Sequence, residues 1–584
     1  MADQQHVFAI IGLGPRGHHA LESLARAIEG AAEDIVPLIL AFEPGPNAGH
    51  GHVYTVEQPA SNWINITERV LDLPAREVIT LRQGKIPPFP GYLEWAGLVF
   101  DDWPADRVDT FPPRAKIGKY LAERFETLAN PLLEFGVLKI IDTTVDELSI
   151  SDRKPQIKTD DGAIFTADQV LITIGHQPTE DDEQIADWKN AVRRSDGARL
   201  FDEPYPVQDI AKAVANVPKV HVAVRGYGLA TIDVARAMAG TIGQFVIDDD
   251  ITRKQHFCKN DGADLKIIPF SLDGLPPGPK PLTPAIDAQF EPSSAVMEKL
   301  RHHISDKNRQ IAATDQSFLI DIMCDTIATV WSNMHNRRSS AATTSTQIAN
   351  IAAAWIDDPF FKHDLVLCAH TPPEEILQRL VAIASGAEEI TLDYCVGQVW
   401  RHCQPLIYKE LSHSELSDPV MAQIIFTDEK LKRYTYGPPV ESLQQLIALN
   451  NAGVLELGFI ADPSIEVDGT AWTLSSDDAE ISASIMINAV LDPPKVKKVC
   501  SPLVTGLLNN NMIKLVHTEL GVTTDTDAFC ISNENTKTLP IALLGRLAKG
   551  TVIGVDAILE CFGDRAEFWA KAAVEKAASN NARV

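Results

Sequence analysis

Residues 7–27, VFAIIGLGPRGHHALESLARA, constrain the fold more than any other stretch of the chain. VFAII is a short apolar run of the kind a buried parallel strand needs. Gly12, Gly14 and Gly17 follow directly, and Ala20, Leu21, Leu24, Ala25 and Ile28 then recur at helical spacing. A second apolar run, VPLILAF (36–42), ends at Glu43. Strand, glycine turn, helix, strand and acid together form a parallel crossover unit shaped for a dinucleotide. Gly12 permits the tight turn, Gly14 lets a pyrophosphate approach the backbone, and Gly17 lets helix and strand pack closely. The helix N-terminus offers amide donors and the positive end of its dipole. Glu43 can accept hydrogen bonds from an adenosine ribose. Pro15 and Arg16 lie inside the turn, where Arg16 either reaches a phosphate or stands in solvent as an ordinary surface charge.

The pattern returns about two hundred residues later. KVHVAVRGYGLATIDVARAMA (219–239) again runs from strand through glycine turn to helix. Gly226 and Gly228 hold the first two glycine places, Ala230 or Thr231 the third, and Asp233 lies early in the helix. Between the two units, ADQVLITIGHQP (167–178) carries a strand that ends at Gly175, which suits a crossover between two nucleotide domains. Two such units imply two dinucleotides, or one dinucleotide and a redox partner.

With 584 residues, the chain is too long for one core, and two to four domains are expected. It carries 52 Lys and Arg against 79 Asp and Glu, a formal charge of -27. So acidic a chain lacks the basic footprint of nucleic-acid or anionic-lipid binding. No run reaches the ~20 apolar residues of a membrane span, and the first residues do not read as a signal peptide. The eight cysteines are scattered with no CxxC pair, against a zinc ribbon, redox dithiol or disulfide scaffold. A cytoplasmic protein is expected, without membrane or nucleic-acid partners.

The ordered set GLGPRG, TIG (173–175) and RGYGLA resembles the two-dinucleotide flavoproteins. More narrowly, it resembles the bacterial FAD-NAD(P)-binding family, relatives of class B flavin monooxygenases and N-hydroxylases. GHGHVYTVEQPASNWINI (49–66), FPPRAKIGKYL (111–121), YGPPVESLQQLIALNNAGVLEL (436–457), IMINAVLDPP (485–494), SPLVTGLL (501–508) and LPIALLGRLAKGTVIGVDAI (539–558) carry the same resemblance. It implies an α/β fold with two Rossmann-like domains, FAD on the first unit and NADPH or NADH on the second. Gly545-Arg546 stands where relatives often have Gly-Asp, and Ser271-Leu272 where NADP-preferring relatives often have an arginine. Arg253 and Lys254 could substitute for that arginine from a nearby loop.

The expected organisation is an FAD-binding first part (1–205), an NAD(P)-binding domain (206–284), a mainly helical insertion or cap with a possible substrate pocket (285–435), a return to the FAD domain (436–565) and a fraying C-terminal tail (566–584). The histidines of the insertion lack metal-ligand spacing, so no metal site is expected. Arg301, Arg337, Arg338 and Arg401 are its candidates for a substrate carboxylate. Asn65 and His52 are candidate catalytic groups near the flavin ring or nicotinamide, and Gly545 and Asp556 candidate cofactor contacts near the C-terminus. The resemblance implies an NAD(P)H-using monooxygenase that works through a flavin C4a-hydroperoxide on a small-molecule substrate and O₂, such as the N-hydroxylation of an amino acid or small amine. A flavin oxidoreductase without oxygen insertion and a non-catalytic flavoprotein are the alternatives. A homo-oligomer is compatible with the sequence.

Overall fold

The computed structural model describes residues 5–581, apart from 32–34, 99–102, 195–196, 216, 340–342, 468–469, 478, 492–494 and 534–537. The last three residues of the IMINAVLDPP stretch and part of the linker at 339–347 therefore lie outside the described residues.

The chain opens with β1 (Gln5–Ile11), α1 (Pro15–Glu29) and β2 (Val36–Phe42), the predicted crossover unit. It continues through α2 (Arg114–Glu134), β3 (Leu138–Ile141) and β4 (Gln169–Ile172). A second set follows: β5 (Arg199–Phe201), β6 (Lys219–Arg225), α3 (Leu229–Ala239) and β7 (Asp264–Phe270). After a long helical stretch come β8 (Ile485–Asn488), β9 (Phe529–Ile531), β10 (Thr538–Leu543) and α4 (Arg565–Asn581).

These strands build two sheets. The first has the order β9-β10-β4-β1-β2-β3, with only β9 antiparallel. The second is parallel throughout, in the order β5-β8-β6-β7. Phe8, Ala9 and Ile10 are fully buried because β1 is covered on both faces, and each such aliphatic or aromatic side chain contributes about 1.5–3 kcal/mol. Gly12 has φ +95°, and a Cβ there would lie 2.8 Å from the Thr173 carbonyl oxygen. A Cβ on Gly17 would overlap the Gly12 carbonyl oxygen. The turn therefore closes only with glycine at both places.

Two expectations change. Residues 436–565 do not return to the first sheet as one block. Ile485–Asn488 pairs with Lys219–Arg225 in the second sheet, and Arg199–Phe201, expected within the first unit, pairs beside it. The first sheet is rejoined only at β9 and β10. Short parallel strands from distant chain segments carry no local signal of which sheet they complete. The C-terminal helix, expected to fray, instead lies along α1 with Trp569, Ala573 and Ala577 buried; an Ala-rich face permits that close approach.

Among the described residues, 271–463 hold no strand. Helices such as Ser317–Asn333, Leu392–Leu411 and Asp418–Thr435 fill this stretch. Leu300, Ile327 and Trp400 share one apolar core with Val222, Met238 and Ile267 of the second unit. The insertion is thus fused to the second unit by burial rather than resting on it as a separate lid.

Candidate functional site

A cleft of about 2080 Å³ runs between the two sheets and the helical insertion. Ordinary small-molecule pockets span about 300–1,000 Å³, so this cleft has room for more than one ligand. Its walls come from the 52–67 loop, the 175–182 loop, the 202–208 segment, Lys280, the helices around 401–436 and the 546–568 segment.

Glu43 directly follows β2, and its Oε2 accepts the Leu13 N–H at 2.6 Å inside the glycine turn. That bond fixes the carboxylate beside the turn. Burial raises its pKa from the usual carboxylate value. The sequence expectation for FAD fits these residues: the glycine turn is closed to side chains, α1 opens on it, and an acid stands at its side. Gly51 folds over the turn, with an added Cβ 3.3 Å from the Gly14 Cα. In the second unit Gly226 has φ +113°, while a Cβ on Gly228 would meet nothing within 4 Å. Backbone at the start of α3 is thus open to a ligand, and Leu229 lines the cleft. These residues fit a second dinucleotide.

Several candidates have other duties. Arg16 is buried, and its guanidinium donates to the carbonyls of Glu560 at 2.9 Å and Val555 at 3.2 Å. It is neither a phosphate ligand nor a solvated charge; it ties the C-terminal segment to the first turn. Asp233 is also buried, 2.8 Å from Arg114, and accepts from the Tyr205 hydroxyl at 2.7 Å. It links the two units instead of touching a cofactor from the helix start. Asp556 lines the cleft but caps no helix: Ala557 is the cap residue, its N–H held by Glu560 at 2.8 Å. The Asp556 carboxylate lies 2.6 Å from Lys432, 2.9 Å from Lys549 and 3.1 Å from Arg546. These cations outweigh its burial and hold its pKa far below the carboxylate range. Arg546, in the place of the more usual acid, thus shares the Asp556 carboxylate with two lysines.

Asn65 lines the cleft and donates to the Tyr436 carbonyl at 2.9 Å, which fixes its amide. His52 is exposed on a 3₁₀ turn, bonded to Asn47 at 3.0 Å and close enough to favour the charged form of Glu43. Like Asn65, it lines the cleft. Gly175 (φ +66°) lines the cleft and Gly545 (φ +99°) packs against Arg16. Of the four insertion arginines, only Arg401 reaches the cleft. Arg301 pairs with Glu298, Arg337 donates to carbonyls at 331–334, and Arg338 lies 3.5 Å from Glu388. Arg253 is held by Glu441 at 2.6 Å.

Sequence reasoning missed Arg114, Lys280 and Glu560, all on the cleft wall. Arg114 and Gly118 do sit in the FPPRAKIGKYL stretch, and a Cβ on Gly118 would overlap the Tyr54 carbonyl. That spacing was a readable signal. Lys280 and Glu560 gave none, because their importance comes from burial alone.

Residues 9–177 match the family described as FAD-NAD(P)-binding. Over 271 residues the chain is 27% identical to an L-aspartate N-monooxygenase (nitrosuccinate-forming) of Streptomyces davaonensis, covering 42% of this chain and only 40% of that enzyme. It is 23% identical over 521 residues to the uncharacterised protein YdhS of Escherichia coli K12, with 85% of each covered. Among solved structures, the ornithine hydroxylase PvdA of Pseudomonas aeruginosa overlaps 98% of this chain and 99% of its own at TM-score 0.42 and 11% identity. The family match thus covers the first unit, from β1 through β4, and under a third of the chain.

Proposed function

We propose that the protein is an FAD-dependent, NAD(P)H-using monooxygenase that hydroxylates the nitrogen of an amino acid or other small amine. The observation that supports this reading is the presence of two strand–glycine–helix units, each in its own sheet, in a chain similar to an aspartate N-monooxygenase. When bound, FAD supplies a hydride acceptor and an oxygen carrier.

The chain's own residues position and shield. Glu43 holds a ribose, and the α1 N-terminus faces the pyrophosphate. Gly228 leaves the start of α3 open for the second nucleotide. Asn65, fixed by the Tyr436 carbonyl, presents the remaining polar groups of its amide to a ring in the cleft. Burial raises the Tyr408 and Tyr436 phenols well above the usual tyrosine pKa, and the Tyr408 hydroxyl donates to Asp428 at 2.9 Å. The apolar walls limit water around the reacting atoms.

The test is direct. Purified protein should be yellow and oxidise NADH or NADPH with O₂ uptake. An amine substrate should gain one oxygen by mass. Pyridine nucleotide oxidation that yields only H₂O₂ with every amine would replace this reading with a plain oxidoreductase. A protein that neither retains nor takes up FAD would overturn it.

A further inference from the structure

Lys280 is a buried basic residue on the cleft wall that makes no ion pair with a carboxylate among the described residues. It lies in the loop LPPGPKP (275–281), which is clamped onto the segment YTYGPP (434–439). Gly278 N–H donates to the Arg433 carbonyl at 3.0 Å, and Lys280 N–H to the Pro438 carbonyl at 2.9 Å. Tyr394 hydroxyl donates to the Pro279 carbonyl at 2.7 Å. Glycine is needed on both sides: a Cβ on Gly278 would overlap the Tyr434 ring, and one on Gly437 would overlap the Gly278 carbonyl. The Lys280 backbone is therefore rigid, and its side chain is 8% exposed on the cleft wall.

An ammonium has three donors. Among the described residues, that of Lys280 makes one hydrogen bond, to the Thr435 carbonyl at 2.9 Å. The carboxylate that faces it, Asp287, is already shared by Arg69 at 2.9 Å, His402 at 3.1 Å and Arg401. Arg69 also binds Asp109 at 2.8 Å. Arg69 and Arg401 already engage the two carboxylates, Asp109 and Asp287. Burial, with Arg401 beside it, therefore lowers the Lys280 pKa well below the usual lysine value, and its remaining donors are open to an anion that would restore the charge. Burying such a group is costly unless a partner completes it.

We propose that Lys280, with Arg401 beside it, is the anion subsite of the cleft and seats the carboxylate of the substrate. The inference rests on the monooxygenase reading and narrows it: the substrate amine also bears a carboxylate, and Lys280 sets that specificity.

Succinate, which has no nitrogen to oxidise, is the binding probe. Its stabilisation of the wild-type FAD-loaded protein is measured by thermal shift against sodium chloride of equal ionic strength. Turnover is measured with the amino acid that the enzyme oxidises fastest and with the amine formed by removing its α-carboxylate. Losing one charge-assisted contact corresponds to about a 10- to 100-fold change. Lys280→Met should abolish the succinate shift and raise KM for the amino acid by that factor, with kcat little changed and the simple amine unaffected. Lys280→Arg should retain much of both and guards against a folding defect in Lys280→Met. Equal losses for amino acid and amine, or an unchanged succinate shift in folded Lys280→Met, overturn the subsite. Lys280-dependent succinate binding without any amine oxidation leaves the subsite standing and removes the monooxygenase reading instead.

Discussion

Arg114 on α2 stands 2.8 Å from Asp233 on α3, so an ion pair shielded from water bridges the first nucleotide unit to the second. Tyr205 donates to the same carboxylate, and Arg236 reaches back to the Ser61 carbonyl at 3.1 Å while lying 4.1 Å over the Trp63 ring. The relative placement of the two units therefore depends on a handful of buried polar contacts.

Arg114→Ala should cost about 3–5 kcal/mol, because it strands the buried Asp233 carboxylate. The double variant Arg114→Ala with Asp233→Asn should recover part of that loss. Urea unfolding of the single and double variants measures it. Additive losses would show that the two residues do not act as a pair.

Glu43→Ala removes both the proposed ribose acceptor and the partner of the Leu13 N–H. The stranded donor costs about 1–3 kcal/mol of stability, and losing a charge-assisted bond to the ribose, about 1.5–3 kcal/mol, corresponds to about 10- to 150-fold in FAD affinity. The protein should lose its flavin on gel filtration, read by absorbance, while Glu43→Gln should lose less.

The glycines of the two turns should separate by test. Gly17→Ala pushes a methyl into the Gly12 carbonyl and should give unstable, flavin-free protein. Gly228→Ala meets no protein atom within 4 Å. It should keep flavin and melting temperature and raise only KM for NAD(P)H. An unchanged KM would count against the second nucleotide site.

Burial raises the Glu560 carboxyl from 4.5 to about 7. The folded protein then holds a proton that the unfolded chain releases, so this residue's contribution falls as pH rises from 4.5 to 7. Glu560→Gln should abolish that share of the slope in melting temperature over this range. A wild-type slope in the variant would place the effect elsewhere.

Burial lowers His19 from 6.5 to about 4, and neither of its ring nitrogens has a hydrogen-bond partner among the described residues. The unfolded chain takes up a proton below pH 6.5 that the folded protein refuses until about 4, so stability falls as pH drops through that window. His19→Leu should be neutral or stabilising at pH 7 and flatten the acid side of the stability profile, followed by thermal melts from pH 7 to 4.

The two nucleotide units were legible in the sequence because their determinants are local. Gly12, Gly17 and Glu43 lie within about thirty residues of one another, and their spacing follows from turn geometry and helix–strand packing. Arg114 was quoted in a motif without its meaning, since its partner Asp233 lies more than a hundred residues away. Arg16 illustrates the limit: inside a phosphate-binding motif it has the right chemistry, yet two carbonyls from the far end of the chain claim its guanidinium. Lys280 in a proline-rich loop and Ile485–Asn488 in the second sheet gave no local sign of their roles. Periodicity and turn chemistry thus determined what the elements are and which ligands two of them suit. Only the tertiary structure decided which sheet each distant strand completes and which charges end up buried, because burial and long-range pairing depend on neighbours that the local sequence does not contain.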